Sequence, residues 1–171
     1  MLATPAQSAR AGDRHFHDRR GIGVDAVAKG SDLGSQPGRE LLQTLIARCD
    51  WIWVEGNHDG KSPETLGGAV RDTLRIGDLT LRHEPTSGVA DGEIAGHLHP
   101  CAKVTGRGRV VRRRCFAVDG ARLVMPAFGA FTGGLNICDE AFAPIFPDGV
   151  TAFVLGKTRV LPAPQSRLLP D

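Results

Sequence analysis

Trp51-Ile-Trp-Val54 runs straight into Glu55-Gly-Asn-His-Asp59, and this junction constrains the fold more than any other stretch of the chain. Two indoles and two β-branched residues in succession suit a pleated, half-buried strand, and Gly56 and Asn57 suit the turn that ends it. Such a strand delivers Asn57, His58 and Asp59 to a sheet edge, where ligands of α/β sheets commonly sit. Just upstream, Leu41, Leu42, Leu45 and Ile46 recur at helical spacing with Arg39, Glu40, Gln43 and Arg48 on the other side. The pattern predicts an amphipathic helix over Pro37–Arg48. A helix that feeds a strand within a few residues is an α/β arrangement. Taken alone, Asn57-His-Asp-Gly60 also reads as an ordinary polar turn, so its weight depends on partners elsewhere.

Downstream the pattern is of short strands and tight turns. Leu74-Arg-Ile76 and Leu79-Thr-Leu81 alternate about Gly77-Asp78 and predict a hairpin ending in Arg82-His83. Val110–Val118 and Ala121–Met125 flank Asp119-Gly120, and Val150–Leu155 and Thr158–Leu161 flank Gly156-Lys157, predicting two more. Ser62-Pro-Glu64 supplies a cap and a first-turn proline for a brief helical turn. The expected class is α/β (α+β): a two-sheet β-sandwich flanked by helices, rather than a doubly wound nucleotide fold. Residues 1–36 show no strand or long helical pattern and read as an irregular segment, residues 37–161 as the folded domain, and residues 162–171 as a Pro-rich tail expected to fray.

Composition narrows the setting. A chain of 171 residues with 41% apolar content supports one core. Twenty-one Lys and Arg against nineteen Asp and Glu give a net charge of +2, which selects no polyanionic partner. Cys49, Cys101, Cys115 and Cys138 lack Cys-x-x-Cys spacing and are expected to be buried, reduced thiols. No apolar run is long enough to span a membrane and Met1–Ser8 has no signal-like core, so a soluble, cytoplasmic protein is expected.

Four of the six histidines, His58, His83, His97 and His99, fall with Asn57 and Asp59 at expected strand ends. Any one of them can be a surface or core imidazole; four so placed favour a shared site. Imidazole, amide oxygen and carboxylate suit a borderline or hard divalent ion. If Gly96-His-Leu-His99 is extended, His97 and His99 point to the same side and face one ion. Gly12-Asp-Arg-His-Phe-His-Asp-Arg-Arg-Gly21 is a second cluster, of ligands or of a solvated turn. Lys103, Arg107, Arg109, Arg112, Arg113 and Arg114 make a basic run suited to phosphate or to a solvated face. Gly106-Arg-Gly108 lacks the third glycine and the helix of a dinucleotide loop.

In type, order and strand-end placement, Gly56-Asn-His-Asp59, His83 and Gly96-His-Leu-His99 resemble the calcineurin-like metallophosphoesterases. Trp53-Val-Glu-Gly-Asn-His-Asp59, Gly96-His-Leu-His-Pro100, Arg112-Arg-Arg-Cys-Phe116 and Met125-Pro-Ala-Phe-Gly-Ala-Phe-Thr132 narrow the resemblance to the bacterial ligase-associated DNA-damage-response endonucleases of PdeM type, from about residue 50 to 155. The resemblance implies a metallophosphoesterase-like fold holding two divalent ions, manganese first, with iron, zinc or magnesium as alternatives. It implies Asn57, His83 and His97 as ligands of one ion and His99 of the other. His58 would protonate the leaving alkoxide, oriented by Asp59, and Arg112, Arg113 and Arg114 would meet phosphate. DNA is the implied substrate, and a DNA ligase and a helicase are the implied partners.

Two further motifs of that family, Asp-x-His and Gly-Asp, share one candidate segment here. Gly12-Asp13 resembles the second with an inserted residue, which makes Asp13 a metal ligand; Asp13-Arg-His15 can instead serve as the first. Either way one motif is absent, and the fold is expected to lack its first strand. The implied function is hydrolysis of phosphodiester bonds in DNA repair. A catalytically impaired scaffold of the same fold, binding nucleic acid or repair partners, is the alternative, and a phosphomonoesterase or cyclic-nucleotide phosphodiesterase the third.

Overall fold

The computed structural model describes residues 22–24, 36–56, 67–106, 108–129 and 132–171, and among them the chain forms two sheets. The smaller is parallel, in the order β1 (Ile22–Val24), β2 (Ile52–Val54), β3 (Ala69–Arg71). Helix α1 (Gln36–Ile46) sends Leu42 and Ile46 to join Trp51 and Val70 around the buried ring of Trp53. The Trp53 indole N–H donates to Gly67 O at 2.8 Å, so its polar edge is satisfied within the apolar cluster. Strand β1 falls where the sequence shows no strand pattern. Ile22-Gly-Val24 is too short to display alternation and is fixed by pairing with β2.

The larger sheet contains β4 (Thr73–Ile76), β5 (Leu79–Arg82), β6 (Glu93–Ala95), β7 (Cys101–Gly106), β8 (Arg109–Val118), β9 (Arg122–Val124), β10 (Thr151–Leu155) and β11 (Val160–Pro164). Its order is β11-β10-β8-β9-β6-β5-β4, with β7 paired to β8 off that path. The three hairpins expected from turn residues all form, as β4–β5, β8–β9 and β10–β11. Gly77 and Gly120 supply the positive φ of two of these turns, at 59° and 100°. The Asp119 carboxylate accepts from Ala121 N and Arg122 N and fixes the second. By contrast β5–β6 and β6–β9 are parallel.

One face of this sheet carries small residues, Ala102, Ala117, Ala152 and Ala163, against the bulk of Phe142, Ile145 and Phe146. Phe142 and Phe146 stack with centroids 6.4 Å apart beyond the 3₁₀ turn at Glu140–Phe142. The C-terminal segment does not fray as expected. Pro162 and Pro164 lie in the edge strand β11, where a missing N–H is tolerated. Beyond it Leu168 is buried, Leu169 N donates to Lys103 O at 2.9 Å, and Asn136 Nδ2 donates to Leu169 O at 3.0 Å.

All four cysteines are free, but only Cys101 and Cys115 are buried; Cys49 is half-buried and Cys138 exposed. Among the described residues no helix is long and apolar enough to cross a membrane. The two-sheet α/β architecture is the one expected of a metallophosphoesterase-like fold.

Candidate functional site

Because β5, β6 and β9 run parallel, the residues that follow them collect on one edge. His83 follows β5, Gly96 and His97 follow β6, and Met125 follows β9. The ladder continues past the strand ends: Gly96 N donates to His83 O at 2.9 Å and Met125 N to Ala95 O at 2.7 Å. There His83 Nε2 lies 2.9 Å from His97 Nδ1, the rings edge to face with centroids 4.9 Å apart. One nitrogen carries the proton and the other accepts it. His83 is buried and His97 half-buried, so the pair is fixed on one side and reachable from the other.

The small sheet ends at the same point. Gly56, two residues after β2, lies against His83: a Cβ there would sit 2.7 Å from Nδ1 and 2.9 Å from Cε1. Only glycine permits that approach.

Gly96–Pro100 is not extended. His97 has φ 66° and His99 φ 50°, and Leu98 N donates to Gly96 O at 2.8 Å, closing a γ-turn about His97 in its strained, positive-φ form. The alternation that would set His97 and His99 on one side is therefore broken. The close imidazole pair is His83 with His97, while His99 sits half-buried beyond the turn.

Beneath the pair runs a buried ionic network that sequence reasoning missed. Glu93 of β6 and Arg122 of β9 are register partners, 4% and 0% exposed at their side chains, with Oε1 and Nε 2.8 Å apart. The Arg122 guanidinium also donates to Gly88 O at 2.9 Å, Thr86 Oγ1 at 3.2 Å and Ile145 O. Glu93 accepts from the Thr86 hydroxyl at 2.7 Å and from its amide. The segment after His83 is thereby tied to the strand that leads to His97. The available signal was a charged residue opening each of two short apolar strands, Glu93-Ile-Ala and Arg122-Leu-Val.

The basic run resolves into distinct jobs. Arg112 donates to Gly134 O at 2.7 Å, and Arg114 to Gly129 O at 2.6 Å and Thr132 O at 2.9 Å, so both hold the loop after β9. Lys103 and Arg112 also approach the Asp171 carboxylate, at 4.0 and 3.6 Å. Arg109 and Arg113 are exposed on β8. Burial, with Cys101 adding to it, pushes the Cys115 thiol up to about 12, so it offers no thiolate at neutral pH. Two surface clefts, one beside Trp51 and Cys49 and one beside Asp119 and Asp148, contain none of the site histidines.

Asp13, Asn57, His58 and Asp59 lie outside the described residues, as do the Gly12–Gly21 cluster, Arg107 and the Ser62–Glu64 turn. Among the described residues no three His, Cys, Asp or Glu side chains converge as a metal set. Imidazole nitrogens are metal ligands, but His83 and His97 face each other across a shared proton, and that hydrogen bond would have to give way for both to turn a lone pair to one ion.

No family model matches the chain, and no curated protein matches it in sequence. In three dimensions it is similar to the crystal structure of nuclease MPE from Pseudomonas putida. The TM-score is 0.61 and the sequence identity 24%, and the match covers 85% of this chain and 71% of that one. The two-sheet fold is thus shared with a nuclease.

Proposed function

We propose that the chain is a divalent-metal-dependent phosphoesterase that hydrolyses phosphodiester bonds in nucleic acid, DNA in particular. The observation that carries this reading is the His83–His97 pair at 2.9 Å, set at a shared strand edge with Gly56 packed on His83. Asn57, His58 and Asp59 follow Gly56 directly in the chain. The fold likeness to a nuclease supports the same direction.

In this reading His83 and His97 hold one ion with Asn57, while His99 and Asp13 serve a second. Two divalent ions, manganese foremost, supply Lewis-acid activation of water and neutralisation of the phosphate. His58, oriented by Asp59, gives its proton to the leaving oxygen. Arg113, exposed on β8, reaches phosphate by releasing its bond to the neighbouring Arg112 O, whereas Arg112 and Arg114 meet it beside the loop carbonyls they hold. A place in DNA repair beside a ligase and a helicase rests on the sequence resemblance alone.

The test is metal analysis together with turnover of bis-p-nitrophenyl phosphate and of DNA. The expected result is about two ions per chain and manganese-dependent hydrolysis abolished by chelation. His97→Ala should remove at least half of the bound metal. Metal well below two with no turnover would leave the impaired scaffold as the better account.

A further inference from the structure

Phe128 is 94% exposed, more than any other large apolar side chain among the described residues. Its position is fixed rather than incidental. It lies three residues after Met125, whose amide bonds to Ala95, two residues before His97. Ala127 beside it is buried, and Arg114 holds Gly129 O on its other side. Arg114 also donates to Thr132 O and Arg112 to Gly134 O. A bare aromatic face thus stands on an anchored loop at the edge that carries the imidazole pair. Arg112 and Arg114, which grip this loop, lie on β8, and Lys103 of β7 is the register partner of Arg112. An aromatic face with cations nearby suits a strand of nucleic acid, whose bases stack and whose phosphates pair with the cations. An apolar protein partner has no comparable use for the cations.

We propose that Phe128 is a stacking platform for one unpaired nucleobase of the strand whose phosphodiester lies at His83 and His97, an assignment that rests on the function proposed above. The ring is a binding group and touches no reacting atom. Its removal therefore weakens capture of a polynucleotide and leaves hydrolysis of a diester without bases unaffected.

The experiment compares wild type, Phe128→Ala and Phe128→Trp. Affinity for a fluorescein-labelled oligothymidine is read by anisotropy, turnover with bis-p-nitrophenyl phosphate, and folding by thermal melting. Phe128→Ala should lower oligothymidine affinity about ten-fold, the size expected for one lost stacking contact. Phe128→Trp should retain it, and small-diester turnover and melting should be unchanged in both. Equal affinity of wild type and Phe128→Ala would overturn the proposal, as would loss of small-diester turnover in step with affinity. If no diester is hydrolysed by any of the three while the affinity difference persists, the hydrolase reading fails and the stacking role stands.

Discussion

At Gly56 the absence of a side chain lets the end of the small sheet reach His83. Gly56→Ala would set a methyl group 2.7 Å from His83 Nδ1, so the ring must shift from the position in which it meets His97. Overpacking of this kind costs about 1–3 kcal/mol. The variant is expected to fold with a lower melting temperature and to bind less metal; full metal content in a folded Gly56→Ala protein would remove Gly56 from the site. The strand-end placement of His83 and His97 was legible because an imidazole just past an apolar strand is conspicuous. The γ-turn was not, since positive φ is ordinarily announced by Gly, Asn or Asp, and here histidines adopt it.

Between strands, the Glu93–Arg122 pair is the device that locks β6 to β9 and both to the segment after His83. Removing one partner of a buried ion pair costs about 3–5 kcal/mol, an upper bound here because Glu93 keeps Arg82 at 3.7 Å and Thr86 at 2.7 Å. Arg122→Leu should lose up to that much in urea denaturation, while Glu93→Leu combined with Arg122→Leu should lose less. Equal losses in the single and double variants would mean that the pair acts through packing alone. The hairpins at Gly77-Asp78 and Asp119-Gly120 were readable because their turn residues carry the required backbone. Strands β1 and β3 were not, being three residues long and held by parallel pairing with β2. Strand β7 was masked by its own chemistry: Lys103 opposite Arg112 reads as surface charge, and the pairing shows only in the register.

Across the whole molecule, Cys115 marks where β8 leaves its pairing with β7 and enters the main sheet. Its buried thiol keeps its proton to about 12, against 9.0 for an ordinary thiol. Below the ordinary value the group does not oppose folding. As pH rises from there towards the folded value, the unfolded chain releases a proton that the folded chain retains, and stability falls by about 1.4 kcal/mol per pH unit. Cys138, though exposed at the surface, is raised in the same direction, first by the partial desolvation of its thiol and then by Asp171. Cys115→Ala should therefore flatten the alkaline decline in stability measured by urea denaturation above about pH 9; an unchanged slope would assign the decline to other groups. At this scale the two-sheet class was legible, because it follows from one helix-to-strand junction and three turns. The convergence of Gly56 with His83 was not, since it joins residues from separate sheets. The strained turn at His97 has one more consequence. A left-handed residue with a side chain costs about 1–2 kcal/mol relative to a relaxed one, and glycine would relieve it. At positions 97 and 99 backbone comfort calls for glycine, whereas the proposed metal role calls for imidazole, so variants selected only for heat resistance would be drawn to discard the side chains that role requires.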